Sequence, residues 1–145
     1  MKTGHYVLLL HLHQNEHLTI GKLGSFEFPA GWYTYVGSAF GAGGITGRLK
    51  HHLKPVEKPH WHIDYLRQTA ELKEVWLSPG EGRQEEAWVE VVLSIPGAII
   101  PVDGFGASDS NQDSHLIYFD VQPTMEDFSV ALRSRFPNTT VMRAF

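Results

Sequence analysis

Apolar and polar side chains alternate from the fourth residue onward. From Gly4 to His13, the positions His5, Val7, Leu9, His11 and His13 fall on one face, and Tyr6, Leu8, Leu10 and Leu12 on the other. That period of two predicts a strand. Leu18–Leu23 predicts a second, Phe26–Phe28 is extended, and Pro29-Ala30-Gly31 turns into a third, Trp32–Val36. An antiparallel meander of about three strands is the economical expectation for this part of the chain. The pattern then changes. Ile45, Leu49 and Leu53 recur every four residues, which predicts a short helix that Pro55 ends. The segment from Pro59 opens a second helix with Trp61, Tyr65 and Leu66 facing inward. Leu72–Leu77 reads as a strand. Arg83–Ser94 reads as a helix with Trp88, Val91 and Val92 as its apolar stripe. Leu116–Val121 reads as the last strand. Thr124, followed by Glu126 and Asp127, predicts the capped start of a helix to Arg135, with Phe128, Leu132 and Phe136 buried. Strands and helices mix without strict alternation. The expected class is therefore α+β: a small antiparallel sheet of about three to five strands flanked by helices.

With 145 residues, 42% of them hydrophobic and 19% charged, the composition is globular, and residues 1–145 are expected to form a single domain. No apolar run approaches the ~20 residues of a membrane span. The apolar N-terminal run is broken by His11 and His13 and reads as a strand, not a leader. There is no cysteine, which excludes disulfides and thiolate metal sites. A cytoplasmic location is the expectation. The net charge of −4 argues against a broad nucleic-acid groove. Arg48, Lys50, Lys54 and Lys58 nevertheless cluster, and a local basic face of that kind suits a small, defined phosphate contact.

Candidate chemistry concentrates between Gly31 and His52. The strand there places Tyr33 and Tyr35 on one face, and Tyr6 lies on a strand that can pair beside it. A tyrosine hydroxyl can bond a water or a phosphate oxygen, although tyrosines are also ordinary strand residues. A glycine-rich turn, with Gly37, Gly41, Gly43 and Gly44, leads to Arg48 and His52 on one helix face. A guanidinium forks onto phosphate and an imidazole can move a proton near neutral pH. The turn lacks the Gly-Lys-Ser/Thr ending of a P-loop. Glu85 and Glu86 open a helix, where a carboxylate can hold a hard cation or simply complement the helix dipole. His11/His13 and His60/His62 are pairs two apart among 9 histidines, yet no third ligand stands at a zinc-site spacing. Ser108, Asp109 and His115 form a nominal triad without Gly-x-Ser-x-Gly.

On these residues the chain resembles the GIY-YIG nuclease superfamily. Gly4-His5-Tyr6 is similar to the first signature, Tyr35-Val36-Gly37 to the second, Arg48 to the arginine of the following helix, and His52 to a histidine one turn on. Glu85 resembles the metal-binding glutamate, with Glu86 as the alternative alignment. More narrowly, YVGSA, GRLKHHL, HWHIDYL and FGASDS…SHLIYF resemble small uncharacterised GIY-YIG-like domains, in some proteins fused to endonuclease III; this likeness runs from Gly4 to about Val121. Three departures stand out. His5 occupies a position where isoleucine is usual, on the strand's other face. The Leu18–Phe28 segment resembles an inserted strand pair. Ser110 and Gln112 stand where the narrower family often has cysteines.

The resemblance implies a DNA endonuclease of repair or processing that uses one divalent cation, Mg2+ or Mn2+, and works alone or with a protein partner. In that reading Tyr6 orients or deprotonates the attacking water, helped by Tyr35 or His52. Arg48 neutralises phosphoryl charge, and Glu85 holds the cation. Lys50, His51, Lys54, Tyr33 and Ser38 are the expected substrate contacts. A noncatalytic module that binds nucleic acid or protein is the alternative, and a histidine-based metal-binding protein is a third reading.

Overall fold

The computed structural model describes residues 2–107 and 114–145. It is α+β: a five-stranded antiparallel sheet, four helices and a separate two-stranded hairpin. In chain order the elements are β1 (Gly4–Leu12), β2 (Glu16–Ile20), β3 (Gly24–Phe28), β4 (Gly31–Ala39), α1 (Gly44–Leu53) and α2 (His62–Arg67). There follow β5 (Glu71–Pro79), α3 (Glu85–Leu93), β6 (Leu116–Phe119), α4 (Met125–Arg135) and β7 (Met142–Arg143). The sheet order is β6-β4-β1-β5-β7, so β1 is central.

Both faces of β1 are buried. Tyr6, Leu8, Leu10 and Leu12 enter one core with Ile45 of α1 and Ile63 and Leu66 of α2. Val7 and Leu9 enter a second core under Trp88 and Val92 of α3 and Phe128 and Leu132 of α4. A strand covered on both sides needs apolar residues at consecutive positions, which is why Val7–Leu10 is an unbroken run.

The predicted meander is corrected by the same physics. β4, like β1, is buried on both faces along its middle, and the two pair directly from Gly4↔Ala39 to Leu12↔Gly31. β2 and β3 alternate exposed and covered positions and so can bury only one face. They pair with each other outside the sheet and lay Ile20 and Phe28 over one end of the first core.

Three further expectations shift. Gly37 lies inside β4, so the turn begins only at Phe40, and Gly43 and Gly44 take the left-handed conformations that need glycine. In α1, Ile45 is buried and Leu49 half-buried, but Leu53 is 46% exposed, and His52 takes the inward place in the last turn. The last strand stops at Phe119 and leaves Val121 in solvent. The cap of α4 matches its sequence signal, since the Asp127 N–H donates to Thr124 Oγ1 at 3.1 Å. Edge strand β7 has no signal of its own. Among the described residues no helix is long and apolar enough to cross a membrane.

Candidate functional site

The site is assembled on the β1–β4 pair. Tyr6 stands opposite Gly37, and its ring occupies the space that a side chain there would fill: a Cβ on Gly37 would lie 2.3 Å from the ring. The ring passes over β4 and its hydroxyl meets His52 Nε2 at 2.8 Å. Both residues are buried. Burial drives the Tyr6 hydroxyl well above the usual phenol range, with Tyr35 adding to the rise, while the Arg48 guanidinium opposes it. Burial, reinforced by the positive charge of Arg67, pushes the His52 imidazole down to about 3. At neutral pH the pair is therefore a neutral phenol bonded to a neutral imidazole.

Arg48 lies one helical turn before His52. Its guanidinium rests 4.4 Å from the centre of the Trp61 ring, a cation held over an aromatic face, and it also hydrogen-bonds the Tyr6 side chain. Asp64 fixes the backbone beneath Trp61. Its fully buried carboxylate accepts the backbone N–H groups of His60 at 2.8 Å and Trp61 at 2.9 Å, and His51 Nε2 bonds the other oxygen at 3.0 Å. Burial raises that carboxyl, but those N–H groups and His51 outweigh it and hold it below the ordinary range. His51, His52 and Asp64 bring their ligand atoms within 4.8 Å of one another, the one such three-residue group among the described residues. Arg67, 3.9 Å from Asp64, already supplies positive charge there.

Glu85 arrives at the N-terminus of α3. Its placement depends on His5, whose Nε2 accepts the Gln84 N–H at 2.9 Å. His5 is buried, packs against Phe40 and Trp88, and is lowered to about 4 by burial and then by Arg83. His5 thus gives the helix an N-terminal acceptor, which requires the neutral ring. Trp88, Val89 and Val92 then set the rotation of α3. Glu85 faces the cleft between the elements, and Glu86 lines a neighbouring hollow with Arg83 and Arg135.

That cleft has a volume of about 480 Å³. Tyr6, Tyr35, Ser38, Arg48 and Glu85 line it together, and His52 stands behind Tyr6. Tyr35 packs against Gly106, whose φ of +69° and closeness to the ring both require glycine. Burial, and next the Glu85 charge, push the Tyr35 hydroxyl up.

The other expected contacts lie elsewhere. Tyr33 is wholly buried and donates to the Pro29 carbonyl at 2.6 Å. Although Tyr33 shares a strand face with Tyr35, its position two residues back puts it deep in the core. Lys50 is exposed and does not line the cleft. His51 and Lys54 line a second cavity of about 290 Å³ with Arg67. Of the histidine pairs, His60 and His62 reach the cleft, where His62 Nδ1 accepts the Gly106 N–H at 2.8 Å. His11 and His13 pack beside Trp32 and Glu71 at the other end of β1.

The cleft also contains groups the pattern did not single out as contacts. Phe40, an aromatic within the glycine-rich turn, carries Arg83 over its ring at 4.6 Å. His115, expected only as part of a triad, has Nδ1 3.4 Å from Glu85 Oε2. Ser108, Asp109, Ser110 and Gln112 lie outside the described residues.

Residues 5–136 match the profile of a protein family. The chain belongs to the family described as Domain of unknown function DUF123. The DUF123 match takes in every cleft residue named above, from Tyr6 to His115. No curated protein and no solved structure matches the chain.

Two outcomes follow from this geometry. Gly37→Ala forces the Tyr6 ring aside and is expected to cost about 1–3 kcal/mol, as overpacking of a filled core does. A urea midpoint within error of the parent would refute the assigned contact. Acid is expected to weaken the fold. The histidine reference is 6.5, and His5 and His52 fall to about 4 and about 3. Above pH 6.5 both are neutral in either state and their contribution is intact. Below it the unfolded chain takes up protons that the fold refuses, so stability falls by up to about 1.4 kcal/mol per pH unit for each group. The loss levels off below pH 4 for His5 and below pH 3 for His52. Urea unfolding between pH 7 and pH 4.5 measures the slope, and a flat midpoint would contradict both assignments.

Proposed function

We propose that the chain is a divalent-metal-dependent DNA endonuclease of the GIY-YIG kind, acting in the cytoplasm in DNA repair or processing. The observation that carries this reading is the convergence of Tyr6, Tyr35, Arg48 and Glu85, from four separate elements, on one cleft. Glu85 offers one partly exposed carboxylate to a divalent ion that keeps most of its waters, in the cleft that Tyr6, Tyr35 and Arg48 also line.

The residues divide the work by their chemistry. Arg48, held over the Trp61 ring, presents a cation to the non-bridging phosphoryl oxygens, where it stabilises charge that grows as water attacks. Tyr6, bonded to His52, is placed to orient the attacking water or to pass on its proton. Tyr35 contributes a second hydroxyl to the same cleft. A divalent ion at Glu85, when bound, supplies charge stabilisation at the leaving oxygen. Arg83 over Phe40 adds a second cation beside the cleft. Together these suit a single phosphodiester better than a long duplex tract, in keeping with the net charge of −4.

The net charge also favours a second reading, a noncatalytic module on the same scaffold that binds nucleic acid or protein. Cleavage of branched, flapped and linear DNA with Mg2+ or Mn2+ separates the two. The endonuclease reading expects turnover that falls by about 100-fold or more in Arg48→Ala and in Glu85→Gln. Salt-dependent binding with no product on any substrate would leave the module.

A further inference from the structure

We propose that His115 is a second protein ligand of the cation at Glu85, and that its nitrogen makes the site prefer Mn2+ or Co2+ to Mg2+. The inference deepens the endonuclease reading and rests on it for a cation at Glu85. His115 Nδ1 and Glu85 Oε2 are 3.4 Å apart. Two ligands each about 2.1 Å from one ion are separated by about 3.0 Å in octahedral and about 3.4 Å in tetrahedral geometry. The existing separation therefore admits an ion between the two atoms with little movement of either.

His115 is also held in place by its backbone. Its N–H donates to the Phe105 carbonyl at 2.9 Å, and its carbonyl accepts the Val36 N–H at 3.0 Å, next to Tyr35. The side chain is 3% exposed and that of Glu85 is 29% exposed. An ion arriving through the cleft would meet the carboxylate first and the imidazole behind it. Ligation uses the tautomer whose proton sits on Nε2 and whose Nδ1 lone pair faces Glu85.

The competing group, His51, His52 and Asp64, is less suited. Its carboxylate is fully buried and already accepts the backbone N–H groups of His60 and Trp61 as well as the His51 contact, with the Arg67 guanidinium 3.9 Å away. One nitrogen donor selects among divalent ions. Mg2+ takes oxygen ligands and retains its waters, whereas first-row transition ions accept imidazole.

The test is cation binding to the whole chain by calorimetry, with Mg2+, Mn2+ and Co2+ as probes and no DNA present. The parent is expected to bind Mn2+ and Co2+ about tenfold or more tightly than Mg2+. His115→Gln is expected to remove that preference, chiefly by weakening Mn2+ and Co2+ binding, and Glu85→Gln to weaken all three. A parent that binds all three ions alike, or a His115→Gln variant that keeps the preference, overturns the assignment. Should His115→Gln fail to fold, ring resonances of the parent decide. Substoichiometric Mn2+ is expected to broaden those of His115 while His11 and His13 stay sharp; a sharp His115 overturns the proposal. A metal preference that depends on His115 without DNA cleavage would sink the endonuclease reading alone. Cleavage with no such dependence would sink the ligand assignment alone.

Discussion

A tyrosine ring can lie across a neighbouring strand only where the residue opposite has no side chain. In this chain that condition joins Tyr6 to Gly37, and the site is built around it. The antiparallel register from Gly4↔Ala39 to Leu12↔Gly31 sets the two residues opposite each other. The open space above Gly37 lets the ring reach His52 on α1, and the same helix carries Arg48 into the cleft. A slip of one residue would turn Tyr6 to the other face of the sheet, toward α3 and α4. Register therefore sets which side of the molecule bears the cleft.

The electrostatics are arranged in depth. Neutral groups lie innermost: the Tyr6 hydroxyl, the His52 ring and the Tyr35 hydroxyl, each kept uncharged mainly by burial. Charged groups lie nearer the opening. Arg48 and Arg83 rest on the faces of Trp61 and Phe40, and Glu85 stands between elements. This order keeps the cost of desolvating charge low and still surrounds a bound anion with cations. Asp64 is the exception, a fully buried carboxylate, and it is satisfied by two backbone N–H groups and His51.

Most of the fold could be read from periodicity, because β1, β4, α3 and α4 each carry long apolar patterns. The meander expectation fails because strands adjacent in sequence need not pair in space; the two-sided burial of β1 and β4 makes them partners. Tyr6, Tyr35, Arg48 and Glu85, the residues that carry the motif resemblance, line one cleft, although spacing alone did not single them out. Glu85 could not be told from Glu86 without the rotation of α3, which Trp88 and the His5–Gln84 bond fix together. Phe40, Arg83 and His115 reach the cleft through tertiary packing alone, and no local pattern announces that. Tyr33 shows the opposite error: a strand face shared with Tyr35 becomes two environments once one end of the sheet is covered and the other is open.

The hairpin of β2 and β3 separates shape from chemistry. Its ends are clamped, since Leu12 and Gly31 are themselves partners in the β1–β4 ladder. Whatever chain joins them begins and ends at a fixed distance, and the first tyrosine of the site lies six residues back along β1 from that clamp. Length and sequence between residues 12 and 31 can therefore drift without any strain reaching Tyr6 or Tyr35, provided that something apolar still covers the end of the core now sealed by Ile20 and Phe28. This end of the molecule is thus free to acquire new surfaces while the cleft at the opposite end stays under constraint.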